Sequence, residues 1–232
     1  MPTRKKKPQR SGSGTRALLV LAIVLFAGIW LTEQVASRGI GPGWLQFLFA
    51  ASEPTGGLRV GLIAGHKGND SGTACDDGLT EAEVNLKVAE LTAARLQRQG
   101  MAVDILDEFD DRLRGYKAAA LVSIHADSCQ SDFSGFKVAN QEGGTEASQR
   151  LTGCLWDSYE AATGLDRHLS TITKDMTHYH AFREIALETP AAIIELGFLN
   201  TDRAIIADHP DLAAEGIANG LLCFFTPTAT GE

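Results

Sequence analysis

Two histidines and two glutamates stand where apolar segments of this sequence end, and these residue types can do chemistry together. His66 follows the run VGLIAG, and His125 follows ALVSI. Glu81 opens a predicted helix, and Glu195 ends the run AAII. Two histidines and one carboxylate are the ligand set of an open catalytic zinc site, whose fourth position is left for water. The pattern therefore predicts that His66, Glu81 and His125 bind zinc.

The choice of Glu81 over its neighbour Glu83 depends on helix geometry. Glu81 precedes Asn85 and Val88 by four and seven residues, so it belongs to the apolar row that faces the core. Glu83 lines up with Lys87 on the polar face and is also placed to complete a capping box at the helix start. We therefore predict that Glu81 is the metal ligand and that Glu83 is structural.

Glu195 is the predicted catalytic residue. A glutamate at the end of an apolar run is costly to bury unless a metal, a cation or hydrogen bonds compensate its charge. Beside zinc it can take a proton from water and later pass that proton to a leaving amine. The alternative is a structural glutamate paired with an arginine such as Arg183, just as either histidine taken alone can be structural.

Weaker candidates surround these four. Residues 165–189 are polar, contain histidines and show no clear period, which is typical of a loop that shapes a cleft. His178, His180 and Arg183 in this segment are predicted to contact substrate. Asn85 is predicted to orient Glu81 from behind, as an outer partner of a metal ligand does.

The elements that position these residues are predicted from hydrophobic periodicity. A helix begins after Thr80 and ends near Gln99, and a second covers residues 146–163 before Gly164. Strands are predicted at 60–64, 102–106, 120–124, 135–139 and 191–196, and a last helix opens at residues 208–210. Strands that alternate with helices indicate an α/β layered domain.

The four cysteines suggest disulfides if the domain is exported. Cys75 lies in the loop after the first histidine, and Cys129 follows the second histidine by four residues. If both histidines line one cleft, these two loops are neighbours, so a Cys75–Cys129 bond is predicted. Cys154 and Cys223 fall within predicted helices, where two buried thiols and a bond are equally compatible with the sequence.

Composition and charge bound the class of protein. The 232 residues carry a net charge of −8, and the first 16 residues hold six basic groups and no acids, so the remainder carries −14. Such an acidic body argues against a nucleic-acid partner. With 44% hydrophobic residues the chain can pack one core, and monomer is the default state.

The N-terminal region reads as a membrane-targeting segment. Residues 1–16 form a basic cytoplasmic tail, and residues 17–32 form an apolar transmembrane signal-anchor. A cleaved signal peptide, with small residues at 35–37 as the cleavage site, is the alternative, and it would give a secreted protein. Residues 33–57 are a predicted linker, residues 58–226 the catalytic domain, and residues 227–232 a tail.

Four motifs in this order resemble the zinc-dependent N-acetylmuramoyl-L-alanine amidases of bacterial cell walls. They are Gly65-His66, Glu81 four residues before Asn85-Leu86, SIHA around His125, and PAAIIELGF around Glu195. The resemblance extends over residues 59–225. It implies that His66, Glu81 and His125 bind zinc and that Glu195 is catalytic.

The resemblance also implies a fold, a substrate and a location. The fold would be a single three-layer α/β domain with a mixed sheet of about six strands flanked by helices. The substrate would be peptidoglycan, cleaved outside the membrane at the amide between N-acetylmuramic acid and L-alanine. This sequence departs from the family pattern at Lys67, at SIHAD in place of SIHAN, and in residues 107–119, which lack a strand-end arginine.

Two other functions use the same features. A zinc carboxypeptidase, or another amidohydrolase acting on wall peptides, would share the ligand set and differ only in its product. A catalytically silent, membrane-anchored wall-binding protein would have lost a ligand or the catalytic glutamate, and this sequence retains all four residues.

Overall fold

Five strands form one mixed sheet in the computed structural model, which describes residues 57–130 and 132–226. The sheet order is β2-β1-β3-β5-β4. Four strands are parallel, and the last pairs antiparallel to β5 at the edge. The strands are β1 (Arg59–Ala64), β2 (Ala102–Leu106), β3 (Ala120–Asp127), β4 (Lys137–Ala139) and β5 (Ala191–Phe198).

Three long helices cover one face of the sheet, and short segments cover the other. On the first face α6 packs against both α1 and α2 over the larger hydrophobic core. The smaller core on the other face is closed by the 3₁₀ turn at Asp111–Leu113 and by α3 and α4. The helices are α1 (Glu81–Arg98), α2 (Glu146–Thr163), α3 (Lys174–Thr177), α4 (Ala181–Glu184), α5 (Arg203–Ile206) and α6 (Pro210–Phe225), with 3₁₀ turns at Asp111–Leu113 and Leu169–Thr171.

The helix signals in the sequence act as predicted. Thr80 caps α1: its hydroxyl accepts from the backbone N–H of Glu83, whose carboxylate accepts from the N–H of Thr80. α2 spans the predicted 146–163 and ends at Gly164, whose left-handed backbone (φ 70°) only glycine adopts at little cost. These local signals fix the start of α1, which carries Glu81, and the end of α2.

The strands differ from the prediction in number and length. Five strands are described where about six were expected, because the polar segments 107–119 and 165–189 form turns and short helices and add no strand. β4 is shorter than the predicted 135–139. β3 and β5 continue beyond their predicted ends because their parallel pairing extends past His125 and Glu195 to Asp127 and Phe198. His125 and Glu195 are therefore held by the sheet and not by loops.

All four cysteines are paired. Cys75 and Cys129 form the predicted bond, with their Cα atoms 5.6 Å apart, and so join the loop before α1 to the segment after β3. For Cys154 and Cys223 the sequence left both free thiols and a disulfide possible. The structure shows a disulfide between Cys154 of α2 and Cys223 of α6, with Cα atoms 5.8 Å apart.

Within residues 57–130 and 132–226, no helix has the length and apolar character needed to cross a membrane. The predicted basic tail, signal-anchor and most of the linker, and the tail at 227–232, lie outside the described residues.

Candidate metal centre and active site

Three side chains from separate elements meet at the carboxyl edge of the parallel strands. His66 follows β1, Glu81 opens α1, and His125 lies near the end of β3. Glu81 Oε1 lies 3.2 Å from His66 Nε2 and 3.2 Å from His125 Nδ1. One ligand atom from each residue falls within 4.8 Å of the other two. These three atoms are close enough together to bind one metal ion.

The backbone of His66 is unusual. Its φ is +67°, the one positive value among the non-glycine residues that the structure describes. A left-handed residue with a side chain costs about 1–2 kcal/mol, so contacts must hold it. The His66 N–H donates to Glu108 Oε2 at 2.9 Å, and its Nδ1 lies 2.6 Å from Asp70 Oδ1. In this conformation Nε2 of His66 lies 3.2 Å from Glu81 Oε1.

Glu81 is held as a carboxylate. It is buried, and it accepts hydrogen bonds from the N–H groups of Thr73 (3.1 Å) and Ala126 (3.2 Å). Burial alone would raise the pKa of Glu81, but hydrogen bonds with His125 and His66 outweigh it and hold the pKa well below its ordinary value. Glu81 therefore carries a negative charge at neutral pH.

A row of residues crosses the sheet beside this cluster. His125 of β3 is in register with Glu195 of β5, and Glu195 is in register with Lys137 of β4. Gly65 extends the row to β1, and its N–H donates to the carbonyl of Ile124 at 2.9 Å. A Cβ atom at Gly65 would lie 2.4 Å from Cε1 of His125. The histidine ring therefore occupies the space that glycine leaves.

Replacing Gly65 with alanine is expected to displace the His125 ring and to lower the free energy of unfolding by about 1–3 kcal/mol, as overpacking does. Urea unfolding measures the loss. Gly153→Ala is the matched control, because Gly153 is exposed in α2 and a Cβ there has no neighbour within 4 Å. That variant is expected to gain up to about 1 kcal/mol from helix propensity. Equal stabilities for the two variants would contradict the close packing at Gly65.

Glu195 is suited to proton transfer near neutral pH. The pKa of Glu195 is raised to about 7, chiefly by burial; His125 and Lys137 act to lower this pKa, and the carboxylates of Asp127 and Glu81 act to raise it. A group with a pKa near the working pH both takes and gives protons readily. Its side chain remains partly exposed. Among the described residues no ion pair joins it to Arg183, the structural alternative considered above; Arg183 donates to the carbonyl of His178.

Two charged groups that the sequence reasoning missed lie around the site. Lys137 is buried at 4% exposure, forms an ion pair with Asp127 and faces Glu195 across the strands. The sequence feature that could have indicated its burial is the position of this lysine within the apolar run FKVA. Glu108 is buried at 6% exposure, although it lies in an acidic segment, DEFDD, that reads as a solvated turn.

Of the weaker candidates, Asn85 and His180 lie close to the site, whereas His178 and Arg183 lie at the surface. Asn85 Nδ2 lies 3.4 Å from Glu81 Oε1 and donates to the carbonyl of Gly65 at 3.2 Å. His180 contacts Glu108. His178 is exposed and contacts Lys174, Thr177 and Glu142, and Arg183 is exposed beside it. His178 and Arg183 thus have no described contact with the metal cluster.

Comparisons with known proteins identify a family and a fold for this chain. A family model described as N-acetylmuramoyl-L-alanine amidase matches residues 60–223. The uncharacterized protein YqiI of Bacillus subtilis is 29% identical over 192 residues, which span 75% of this chain and 88% of that protein. The N-acetylmuramoyl-L-alanine amidase AmiC of Neisseria meningitidis is 28% identical over 155 residues, which span 60% of this chain and 37% of AmiC.

Solved structures share the fold. The amidase Ami1 from Mycobacterium smegmatis superposes with a TM-score of 0.60 at 21% identity, over 73% of this chain and 97% of Ami1. The catalytic domain of CwlV, an amidase from Bacillus (Paenibacillus) polymyxa, superposes with a TM-score of 0.56 at 26% identity, over 71% of this chain and 96% of that domain.

Proposed function

This chain belongs to the N-acetylmuramoyl-L-alanine amidase family, and we propose that it uses zinc to hydrolyse the amide between N-acetylmuramic acid and L-alanine of peptidoglycan. One observation carries the proposal. Three donors of the zinc type, from His66, Glu81 and His125, lie within 4.8 Å of one another, and Glu195 is in register with His125.

The residues fit zinc by their chemistry and by their charge. Two imidazoles and one carboxylate are the donor set of catalytic zinc sites. The cluster also favours positive charge: the hydrogen bond to Glu81 raises the pKa of His66 to about 9, against the opposing effect of burial. The outer nitrogen of His66 lies against Asp70, as the outer nitrogens of metal-bound histidines lie against carboxylates. Bound zinc would supply a Lewis acid that polarises the amide carbonyl and acidifies a water molecule.

The chain's own residues divide the remaining work. Glu195 takes a proton from the attacking water and delivers it to the nitrogen of L-alanine, so that the stem peptide leaves as an amine. The pKa of Glu195, raised to about 7, suits both transfers. Lys137 and Asp127 form an ion pair beside Glu195, and this pair joins the edge strand β4 to β3. Asn85 keeps Glu81 aimed at the two histidines.

Purified protein incubated with muropeptides is expected to release stem peptides with an L-alanine amino terminus. A chelator is expected to abolish the release and added zinc to restore it, because the Lewis acid would be the bound zinc that the chelator removes. Mass spectrometry of the products measures both. Loss of only a terminal D-alanine would make the protein a carboxypeptidase, and intact muropeptides would make it a silent wall-binding protein.

The proposed substrate also implies where in the cell the protein acts. Peptidoglycan lies outside the cytoplasmic membrane, so the catalytic domain, residues 58–226, acts there. Residues 17–32 hold it as an anchor behind the basic residues 1–16. Immunoblots of membrane and soluble fractions test the anchor, and a shortened, soluble product would indicate a cleaved signal peptide instead.

A further inference from the structure

We propose that Glu108 is a positioning residue that fixes which nitrogen of His125 faces the metal, and that His180 and Glu184 hold Glu108 in turn. The inference rests on the zinc site of the proposed function. Neither the sequence motifs nor the family match points to Glu108, which ends no apolar run and sits among acidic neighbours.

The two nitrogens of His125 face two different carboxylates. Nδ1 lies 3.2 Å from Glu81 Oε1, within the metal cluster, and Nε2 lies 3.4 Å from Glu108 Oε2, outside it. A neutral imidazole offers one nitrogen to a metal and keeps its proton on the other. The geometry therefore assigns Nδ1 to the metal and the proton to Nε2.

Glu108 is the group placed to accept that proton. Nε2 of His125 is fully buried and has no hydrogen bond of ordinary geometry. A buried donor left in that state costs about 1–3 kcal/mol. The 3.4 Å contact with Glu108 is a few tenths of an ångström longer than a normal hydrogen bond. A small rotation of the His125 ring would shorten this contact to the length of a hydrogen bond.

The carboxylate of Glu108 is itself held from two sides. Oε2 accepts the N–H of His66 at 2.9 Å. Oε1 accepts the hydroxyl of Tyr179 at 2.8 Å and lies 3.1 Å from His180 Nε2. The other ring nitrogen of His180 lies 3.0 Å from Glu184 Oε1. A chain of contacts thus runs from the partly exposed Glu184 through His180 and Glu108 to His125.

This arrangement requires a carboxylate and not merely a side chain of that shape. Donors approach both oxygens of Glu108: His66 and His125 on one, Tyr179 and His180 on the other. A glutamine would turn one of the two oxygens into an NH₂ group that faces donors. Either orientation of the amide therefore leaves one side unsatisfied.

Glu108→Gln is expected to weaken zinc binding by about 10- to 100-fold, the usual effect of losing an outer partner of a metal ligand. Competition with a chromophoric chelator measures the zinc dissociation constant. Asp107→Asn is the matched control, because Asp107 is the neighbouring residue and pairs with Lys67 at the partly exposed surface. That variant is expected to change the constant less than twofold, since exposed ion pairs contribute little. Equal constants for Glu108→Gln and the wild type would overturn the proposal.

A second measurement, on the wild-type protein, does not depend on how the variants fold. Long-range ¹H–¹⁵N NMR of the zinc-loaded protein is expected to show His125 bound through Nδ1 and protonated at Nε2. Binding through Nε2 would overturn the role of Glu108. This outcome is separable from failure of the proposed function, which would appear as wild-type protein that binds no zinc or releases no stem peptide.

Discussion

Glu195→Gln is expected to lower kcat for stem-peptide release by about 10²–10⁴-fold, the usual contribution of a positioned general base and acid. Glutamine has nearly the shape of glutamate but neither takes nor gives a proton at neutral pH. Because Glu195 is not one of the three clustered donors, the zinc content of the variant is expected to equal that of the wild type. Product release under saturating substrate and metal analysis of the purified variant measure the two quantities.

The same variant reports on the raised pKa of Glu195. In the folded protein the pKa is about 7, whereas the unfolded side chain has its ordinary value of 4.5. The folded state therefore holds this proton longer, and wild-type stability contributed by the group is lost as pH rises from 4.5 to 7. Glutamine does not titrate. The metal-free variant is expected to be more stable than the metal-free wild type above pH 7, by at most about 3 kcal/mol.

Three outcomes would contradict these expectations for Glu195. Activity within a few-fold of the wild type would show that another group transfers the proton. Loss of zinc together with activity would make Glu195 a ligand and not a base. Equal stability of variant and wild type at pH 5 and pH 8 would show that burial does not raise the pKa, and urea unfolding at the two pH values decides this.

The second large effect is expected from Glu81→Gln, which removes the charge and one acceptor oxygen from the centre of the metal cluster. Loss of a direct ligand must cost more than loss of an outer partner, which costs about 10- to 100-fold. We therefore expect the zinc dissociation constant to rise by more than about 100-fold and the activity at limiting zinc to disappear. The remaining amide cannot satisfy both the N–H of Thr73 and the N–H of Ala126.

Glu83→Gln is the control for this variant, because Glu83 lies two residues after Glu81 in the same first turn of α1. Glutamine also completes a capping box, so stability is expected to stay within about 0.5 kcal/mol of the wild type. Zinc binding is expected to be unchanged, since Glu83 contacts Thr80 and not the histidines. If the two substitutions weakened zinc equally, the assignment of Glu81 as the ligand would be wrong.

The sequence by itself determined helices α1 and α2 and the identity of the main strands. Capping residues and glycine stops act within one turn, so the start of α1 after Thr80 and the end of α2 at Gly164 could be read directly. Helix periodicity also separated Glu81 from Glu83, because the direction of a side chain on a helix follows from its spacing. The structure buries Glu81 and leaves Glu83 exposed.

Burial of charged residues could not be read in the same way. Glu108 lies in an acidic turn and Lys137 in a short edge strand, and both are buried only because distant segments cover them: Tyr179 and His180 lie over Glu108, and Thr171 and Phe198 lie near Lys137. Their sequence neighbours carry no sign of this.

Only the tertiary structure decided which side chains of the site lie next to each other. The row from Gly65 through His125 and Glu195 to Lys137 depends on the register of four strands that lie far apart in the chain. Register between parallel strands is set by side-chain packing across the whole sheet, and a local pattern specifies which residues face inward but not which residues lie opposite each other. The sequence therefore predicted which residue types form the site, whereas the packing of the sheet decided which of these residues lie next to each other.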